Sequence, residues 1–498
     1  MNKRIELETL KTYLWDAAVL LRSNIDAGAY KQYIFPLLFF KRICDVYDEE
    51  TKIAYDEYGD SMYEFDDDEI HTFIVPKGYH WNDVRETSSD VGLAIITAFR
   101  KIEKSNGNKL IGVFGDAAWT NKNRLPDNLL KDIIEHFSTQ TLSLANCPED
   151  ELGQGYEFLV RKFADDSGHT AQEFYTNRTV VHLMTEMLKP QSGESIYDPT
   201  CGSAGMLIST IAYLKQKGFE WRNVAAYGQE INSLTSSIGK MNLFLHGVKD
   251  FNIVNDDTLE RPAFIKDGKL MTFDMILANP PYSISQWNRS AFESDKYGRN
   301  FLGVPPQSRA DYAFIQHILK SMDPQTGRCA ILLPHGVLFR NEEQVIREKL
   351  VESDLVECVI GIGKNLFFNS PMDACILICR SNKPLNHRGK ILFIDAKAEV
   401  TRDGNFSFLE DKHISKITNA YLRFTDEEGF AKVVSKPDIQ KYNSKLSVAL
   451  YVKSIDDSAI ELDETTLGDN FSEWIITQDE LHTQMEKIIK KLGGSNDE

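Results

Sequence analysis

Four consecutive residues have the types and spacing that chemistry on an aromatic amine requires: Asn279, Pro280, Pro281 and Tyr282, directly after the mostly apolar run 273–278. Such an amine is a poor nucleophile because its lone pair is delocalised into the ring. The carbonyls of the Asn279 side chain and the Pro280 backbone can both accept hydrogen bonds from the NH₂ group, which favours a tetrahedral nitrogen. The prolines stiffen the backbone, and the tyrosine ring can stack on a planar substrate. We therefore predict group transfer to a planar amine rather than the alternative, an ordinary Asn-Pro turn after a strand.

A glycine-containing segment, Asp-Pro-Thr-Cys-Gly-Ser-Ala-Gly at residues 198–205, follows a second short run at 195–197. It lacks the lysine of GxxxxGK[ST] and the spacing of GxGxxG, so it does not predict a phosphate-binding loop. Its glycines let the backbone turn sharply and approach a ligand closely. Asp198 suits a positively charged group of a cofactor, whereas we expect Cys201 to pack rather than react.

Carboxylates also follow the next two predicted strands. Glu230 stands where nucleotide-binding sheets hold ribose hydroxyls. Asp256 and Asp257 come after the following strand and suit an adenine amino group. Each acid by itself is more often a helix N-cap. Acids at three successive strand ends are more specific, and together they favour a ligand pocket.

The elements that must position these residues alternate between short apolar runs and helical patterns from about residue 156, which predicts a parallel sheet with crossover helices. The predicted strands are 195–197, 224–227, 251–254, 273–277, 329–333, 355–360 and 374–379. The predicted helices are 179–188, 206–217, 231–246, 312–322 and 342–350.

Both ends of the chain are predicted to be helical. Apolar residues between Leu7 and Leu21 repeat at three- and four-residue steps, and a second helix is predicted at 30–47. The chain ends in a helix predicted from Asp479 to Leu492, whose apolar stripe would dock on its own domain or on a partner's helix. We divide the chain into a helical domain at 1–150, a core domain at 151–411 and a C-terminal extension at 412–498.

Composition limits the class of protein. The 498 residues are 42% hydrophobic and 26% charged, which is typical of a folded, globular protein. The net charge of −18 disfavours a monomer that coats nucleic acid through bulk charge. Seven scattered cysteines without a CxxC pair indicate neither a disulfide framework nor a zinc site, and no apolar run is long enough for a membrane span. We expect a cytoplasmic protein without a metal.

The segment 198–205 followed by Asn-Pro-Pro-Tyr at 279–282 resembles the S-adenosylmethionine-dependent adenine-N6 DNA methylases. Together with its helical N-terminal part and tail, the chain resembles the modification subunit of type I restriction-modification systems. Thr176-Asn177-Arg178 stands where that family usually has Thr-Pro-Arg. The resemblance implies an α/β fold: a doubly wound, mostly parallel methyltransferase sheet in the core domain, with an α-helical N-terminal domain and a helical C-terminal tail.

The resemblance also implies the site. Asn279 to Tyr282 would act on adenine N6, and the adenine must be flipped out of duplex DNA. Apart from the resemblance, Phe367 or Phe368 is a candidate for a second stacking wall, although two adjacent aromatic residues before a strand more often belong to the core. S-adenosyl-L-methionine would be the cofactor. Its implied contacts are Thr176, Asn177, Arg178, Thr179, Val180, Val181, Asp198, Ser203, Ala204, Gly205, Glu230 and Asp257.

The implied partners are double-stranded DNA, a DNA-specificity subunit, a second copy of this chain and a restriction subunit. Three alternatives stay open. The Asn-Pro-Pro-Tyr motif also occurs in enzymes that methylate a glutamine side chain in translation factors, and a non-catalytic scaffold could keep the same fold. Physics alone does not separate adenine N6 from cytosine N4, because both are conjugated exocyclic amines.

Overall fold

The computed structural model describes residues 4–166, 176–364, 366, 374–403 and 406–453. In the described chain before residue 167, short 3₁₀ turns connect α-helices. These are α1 (Leu7–Leu20), α2 (Lys31–Tyr58), α3 (Asp67–Ile70), α4 (Trp81–Arg85), α5 (Val91–Ser105), α6 (Asp127–Ser138) and α7 (Glu149–Asp166). They enclose one hydrophobic core. We call this part the helical unit, and it confirms the prediction that the N-terminal part is helical.

Helix α2 extends well past the predicted limit at residue 47. The added turns are polar, so the apolar spacing could not reveal them. Glu49 accepts a hydrogen bond from the amide of Leu144 at 2.6 Å, and Glu50 accepts one from the amide of Thr72 at 2.9 Å. The acidic end of α2 therefore ties down neighbouring loops of the same unit.

The rest of the described chain alternates strands and helices. The strands are β1 (Ser195–Asp198), β2 (Ala225–Glu230), β3 (Phe251–Asn255), β4 (Ile265–Lys266), β5 (Lys269–Leu270), β6 (Met275–Ala278), β7 (Arg328–Pro334), β8 (Val356–Ile362), β9 (Ala374–Arg380), β10 (Lys390–Ala396), β11 (Thr401–Asp403), β12 (Phe406–Phe408) and β13 (Ala431–Ser435). The helices are α8 (Arg178–Leu188), α9 (Gly205–Gln216), α10 (Ser233–Leu245), α11 (Arg289–Glu293), α12 (Asp311–Lys320), α13 (Gln344–Glu352), α14 (Asp411–Arg423) and α15 (Lys436–Gln440).

Nine strands form one sheet in the order β13-β10-β8-β9-β7-β6-β1-β2-β3. Strand β9 runs antiparallel to β7 and β8, and β13 runs antiparallel to β10, while the other neighbours are parallel. The predicted mostly parallel sheet is confirmed, and all seven predicted strands belong to it. Strands β10 and β13 were not predicted. Because β13 lies at 431–435, the sheet continues beyond residue 411, where the sequence places the end of the core domain.

The strand order reverses at β1. From β1 the chain proceeds outward through β2 and β3 on one side, whereas β6 pairs with β1 on the other side. Ligands of open α/β sheets bind outside the carboxyl ends of the strands at such a reversal. Tyr197 of β1 pairs with Ile276 of β6, so Asp198 and Ala278 end their strands side by side. The residues that follow both strands therefore share one crevice.

Helices α7 and α10 join the helical unit to the sheet. Ile238, Met241 and Leu245 of α10 belong to the core of the helical unit. The hydroxyl of Tyr156 on α7 donates a hydrogen bond to the carbonyl of Ile238 at 3.0 Å. The helix that follows the acid-bearing strand β2 is therefore packed on the N-terminal helices.

None of the described helices combines the length and the apolar content that crossing a bilayer requires. All seven cysteines are free and buried. The predicted terminal helix at 479–492 and the candidate stacking rings Phe367 and Phe368 lie outside the described residues.

Candidate active site

The turn between β1 and α9 is fixed by its own backbone. Gly202 and Ala204 have φ angles of 52° and 64°, in the left-handed region that costs energy for a residue with a Cβ. The amide of Cys201 donates to the carbonyl of Gln229 on β2 at 2.9 Å, and the amide of Ala204 donates to the carbonyl of Cys201 at 2.7 Å. We call residues 199–204 the glycine loop. It reverses direction tightly and is bonded to the neighbouring strand.

Helix α10 packs directly on the glycine loop. A Cβ at Gly239 would lie 2.9 Å from the carbonyl oxygen of Gly202, so glycine permits this close approach. Asn242, one turn further along, donates from Nδ2 to the carbonyl of Ser203 at 2.8 Å. The loop is thus held both by the sheet and by a helix that contacts the helical unit.

Asp198 ends β1 and is 2% exposed. Burial, with a further contribution from Glu230, raises the pKa of the Asp198 carboxyl to about 8, although the amide of Thr200 opposes that shift. This amide donates to Asp198 Oδ1 at 3.0 Å. A buried carboxyl with a raised pKa would be stabilised in its charged form by a cation beside it. Asp198 therefore suits a positively charged ligand group, as the sequence predicts.

Glu230 ends β2 and connects two backbone segments. Its Oε2 accepts a hydrogen bond from the amide of Gly202 at 3.0 Å, and its Oε1 accepts one from the amide of Asn232 at 2.8 Å. These bonds fix the carboxylate at the carboxyl edge of the sheet. A carboxylate oxygen has a second lone pair, so each oxygen can also accept from a ligand hydroxyl.

Asp257 has a local role in addition to the one predicted. Its Oδ1 accepts hydrogen bonds from the amides of Leu259 and Glu260, at 2.8 Å and 3.1 Å, and so caps the turn after β3. The apolar side chain of Ile231, next to Glu230, is 67% exposed at the same edge. Ile231 was not among the predicted site residues. An isoleucine directly after a strand-end acid is the sequence signal that could have indicated a surface for binding a ring.

The start of α8 is fixed to β12 and its following loop. Asn177 caps the helix by accepting from the amide of Thr179 at 3.0 Å, and its Nδ2 donates to the carbonyl of Ser407 at 2.9 Å. Val180 and Val181 are fully buried in the sheet core. Of the predicted contacts on this helix, Asn177 and Thr179 therefore shape the backbone, and the side chains of the two valines pack in the core of the sheet.

Arg178 is the first residue of α8, and its side chain extends to Gly205 at the start of α9. A Cβ at Gly205 would stand 1.9 Å from the Nη1 atom of Arg178, so the guanidinium occupies the space that a side chain at Gly205 would take. On its other side, Arg178 Nη2 is 2.6 Å from Glu157 Oε1. The guanidinium thus lies between the glycine loop and helix α7.

Asn279 follows β6 and is held at both ends of its amide. Its Nδ2 donates to Thr176 Oγ1 at 2.9 Å, and its Oδ1 accepts from the hydroxyl of Tyr282 at 2.8 Å. These bonds orient the amide, and Oδ1 retains a second lone pair for an incoming amine. The sequence predicts Thr176 as a cofactor contact, and the structure shows in addition that it contacts Asn279.

The backbone after Tyr282 is anchored by two charged side chains. Ser283 has a φ of 51°, and its amide donates to Oδ1 of the buried Asp311 at 2.7 Å. Arg340 Nη1 donates to Asp311 Oδ2 at 2.7 Å, and its Nη2 donates to Ser283 Oγ at 3.2 Å. Sequence reasoning missed Asp311 and Arg340, because no local motif relates them to residues 279–282.

One cavity combines the two halves of the crevice. Of the predicted residues, Thr176, Arg178, Asp198, Ser203, Gly205 and Asn279 line it, and Thr200, Cys201, Gly202 and Met206 line it as well. The last four residues were not predicted as contacts. They lie within or directly after the segment 198–205, and that position is the sequence signal that could have identified them. Cys201 also packs on Gly228, where a Cβ would come within 2.9 Å of its sulfur, in agreement with its predicted packing role.

Comparison with known proteins identifies the class. Residues 148–459 match the N-6 DNA methylase family, and residues 10–137 match the HsdM N-terminal domain. The methylase subunit of the type I restriction enzyme MjaVIII from Methanocaldococcus jannaschii is 32% identical, over 95% of this chain and 82% of that protein. The corresponding MpnII subunit from Mycoplasma pneumoniae is 29% identical, over 96% and 95% of the two chains.

A solved structure agrees with these relatives. The methyltransferase subunit of a type I restriction-modification system from Streptococcus thermophilus superposes with a TM-score of 0.78 at 29% identity, covering 90% of this chain and all of that one. The family expected from the two motifs is therefore confirmed over nearly the whole chain. The chain belongs to the N-6 DNA methylase family and is an adenine-specific DNA methyltransferase subunit of the type I restriction class.

Proposed function

We propose that this chain transfers the methyl group of S-adenosyl-L-methionine to N6 of an adenine that is flipped out of double-stranded DNA. The observation that carries the proposal is that Asn279 and Asp198, which follow neighbouring strands, line one cavity. A cofactor held near Asp198 is thereby next to an amine held by Asn279. Bringing the two reactants together in this way is a large part of catalysis for a direct transfer.

The residues present fit the cofactor. The carboxyl of Asp198 is buried, and its raised pKa of about 8 supports an interaction with the ammonium and sulfonium end. The fixed carboxylate of Glu230 suits ribose hydroxyls, and the exposed Ile231 suits a face of the adenine ring. The guanidinium of Arg178 lines the same cavity and suits a carboxylate.

When bound, S-adenosylmethionine supplies an electrophilic methyl group. On the protein side, Asn279 Oδ1 and the carbonyl of Pro280 would accept hydrogen bonds from the two N–H groups of the amine, which directs the nitrogen lone pair outward. The ring of Tyr282 would stack on the flipped base, with a contribution of about 1–3 kcal/mol. The hydroxyl of Tyr282 already bonds to Asn279 Oδ1, so the incoming amine either shares that acceptor or displaces the hydroxyl.

The proposed partners follow from charge and from the relatives. The net charge of −18 disfavours binding of duplex DNA through bulk charge alone, which supports a separate DNA-specificity subunit that supplies sequence recognition. We propose a complex with that subunit, a second copy of this chain and, for cleavage, a restriction subunit. The predicted helix at 479–492 is our candidate docking element, and the cytoplasm is the compartment in which the complex would meet DNA.

Transfer of labelled methyl groups to duplex DNA tests the proposal. The chain and the specificity subunit from the same locus are incubated with DNA and labelled S-adenosylmethionine, and the nucleosides are then analysed. We expect N6-methyladenine only when the specificity subunit is present, and none with Asn279→Ala. Labelled protein in place of DNA would indicate the glutamine-methylating alternative, and equal labelling by Asn279→Ala would overturn the assignment of the catalytic residues.

A further inference from the structure

An ion pair links the helical unit to the cavity. Glu157 lies on α7, and its Oε1 is 2.6 Å from Arg178 Nη2 at the first residue of α8. The two side chains are 24% and 25% exposed, so the pair is partly shielded from water. Partial burial strengthens the attraction between opposite charges compared with an exposed pair.

Arg178 is the member of this pair that lines the cavity. It lines the cavity together with Asp198, Ser203 and Asn279, and its Nη1 lies over Gly205. One guanidinium nitrogen is therefore directed to α7 and another to the glycine loop. A guanidinium can bind two oxyanions at once through different N–H groups.

Helix α7 is itself packed firmly on α10. Tyr156, which precedes Glu157, is fully buried in the helical unit and bonds to α10. A Cβ at Gly153 would stand 2.6 Å from the ring of His246, so α7 packs tightly against the end of α10. Glu157 is therefore presented from a rigid support rather than from a loop.

We propose that Glu157 is a positioning residue, which holds the Arg178 guanidinium over Gly205 so that it binds the carboxylate at the amino-acid end of the cofactor. The helical unit thereby contributes to cofactor affinity without touching the cofactor. This inference rests on the proposed function, because it assumes that S-adenosylmethionine occupies the cavity.

A comparison of two ligands distinguishes a positioning role of Glu157 from a general structural effect of replacing it. S-adenosylhomocysteine carries the amino-acid carboxylate, whereas 5′-methylthioadenosine has the same adenosine part without it. Their dissociation constants are measured by calorimetry with the full chain and with Glu157→Gln. We expect Glu157→Gln to weaken S-adenosylhomocysteine roughly threefold to tenfold, the loss of one pre-ordered side chain, and to leave 5′-methylthioadenosine unchanged.

The control is Asp150→Asn on the same helix. Asp150 forms an ion pair with Lys215 at 3.1 Å and is 70% exposed, and it does not line the cavity. This variant should bind both ligands as the unmodified chain does. Urea unfolding of each variant shows whether the fold is intact.

A double variant gives the decisive result. If Glu157 acts through Arg178, adding Glu157→Gln to Arg178→Met should produce no further loss of S-adenosylhomocysteine affinity. Equal weakening of both ligands, tighter binding by Glu157→Gln, or additive losses in the double variant would overturn the inference. If the unmodified chain binds neither ligand, the proposed function itself fails, and that outcome is distinct from the others.

Discussion

The two halves of the active-site crevice are built differently. In the cofactor half, backbone amides donate to acidic side chains, as Thr200 does to Asp198 and Gly202 does to Glu230, 28 residues away. The target half relies mainly on bonds between side chains, and Asn279 reaches Thr176 over 103 residues. The cofactor half is therefore closed largely by backbone donors. The target half is assembled from the side chains of separate elements.

The difference has a functional meaning. The hydrogen bonds of the cofactor half can persist while a ligand binds, because a carboxylate oxygen can accept more than one hydrogen bond. In the target half, the Tyr282 hydroxyl already bonds to Asn279 Oδ1, the acceptor proposed for the adenine amine. A flipped base would therefore share this acceptor or displace the hydroxyl, whereas the cofactor would meet carboxylates that the backbone already holds in place. Variants in the two halves should consequently affect different steps.

The largest effect is expected from Asp311→Ala in the target half. This change removes the acceptor of the Ser283 amide and the partner of Arg340, so the backbone after Tyr282 shifts. A displacement of about 1 Å can cost about 100-fold in rate, and we expect methyl transfer to fall by about that factor. S-adenosylhomocysteine affinity, measured by calorimetry, should not change.

Asp311→Asn is the matched control for that change, since it keeps an oxygen acceptor for the Ser283 amide. It should retain more activity than Asp311→Ala. If Asp311→Ala weakened the cofactor as much as it slowed transfer, the two halves would not be separable.

The next effect is a pH dependence in the cofactor half. Burial raises the pKa of Asp198 to about 8, so the carboxyl of the ligand-free protein is mostly protonated at lower pH. A cationic ligand favours the carboxylate, and binding therefore releases a proton. Affinity for S-adenosylmethionine should rise with pH, by up to about tenfold per unit, until it levels off above about pH 8.

Calorimetry at several pH values, in buffers of different ionisation enthalpy, measures both the affinity and the proton release. Asp198→Asn should bind more weakly and lose most of this pH dependence. The raised pKa of Asp198 affects folding stability in the opposite direction. Without ligand, the contribution of Asp198 to stability decreases as pH rises from about 4 to about 8. An affinity that falls over that range would contradict the assignment.

The smallest effect is expected from Thr176→Val, which tests the long-range bond to Asn279. Removing the hydroxyl deletes one neutral hydrogen bond, worth about 0.5–1.5 kcal/mol, and lets the amide rotate. We expect methyl transfer to slow roughly threefold to tenfold. Thr176→Ser keeps the oxygen and should remain close to the unmodified rate in the same assay. A loss in Thr176→Ser together with full activity in Thr176→Val would assign the role of Thr176 to its methyl group instead.

Much of the fold could be predicted because its signals are local. Short apolar runs that alternate with helical patterns identified seven of the nine strands in the main sheet. Strands β10 and β13 were missed, and β13 is a short edge strand in which only Ala431 and Val434 are buried. The acidic end of α2 was missed because its helical turns are fixed by contacts of Glu49 and Glu50 with loops distant in sequence.

The family could be predicted from sequence, because the motifs at 198–205 and 279–282 are short, contiguous and follow strands whose carboxyl ends meet at one edge. The contacts that complete the site became visible only in the folded chain. Thr176, Asp311, Arg340 and Glu157 reach it from separate elements. Hydrogen bonds and ion pairs depend on distances of a few ångströms between residues far apart in the chain, and that proximity exists only after the helices have packed on the sheet.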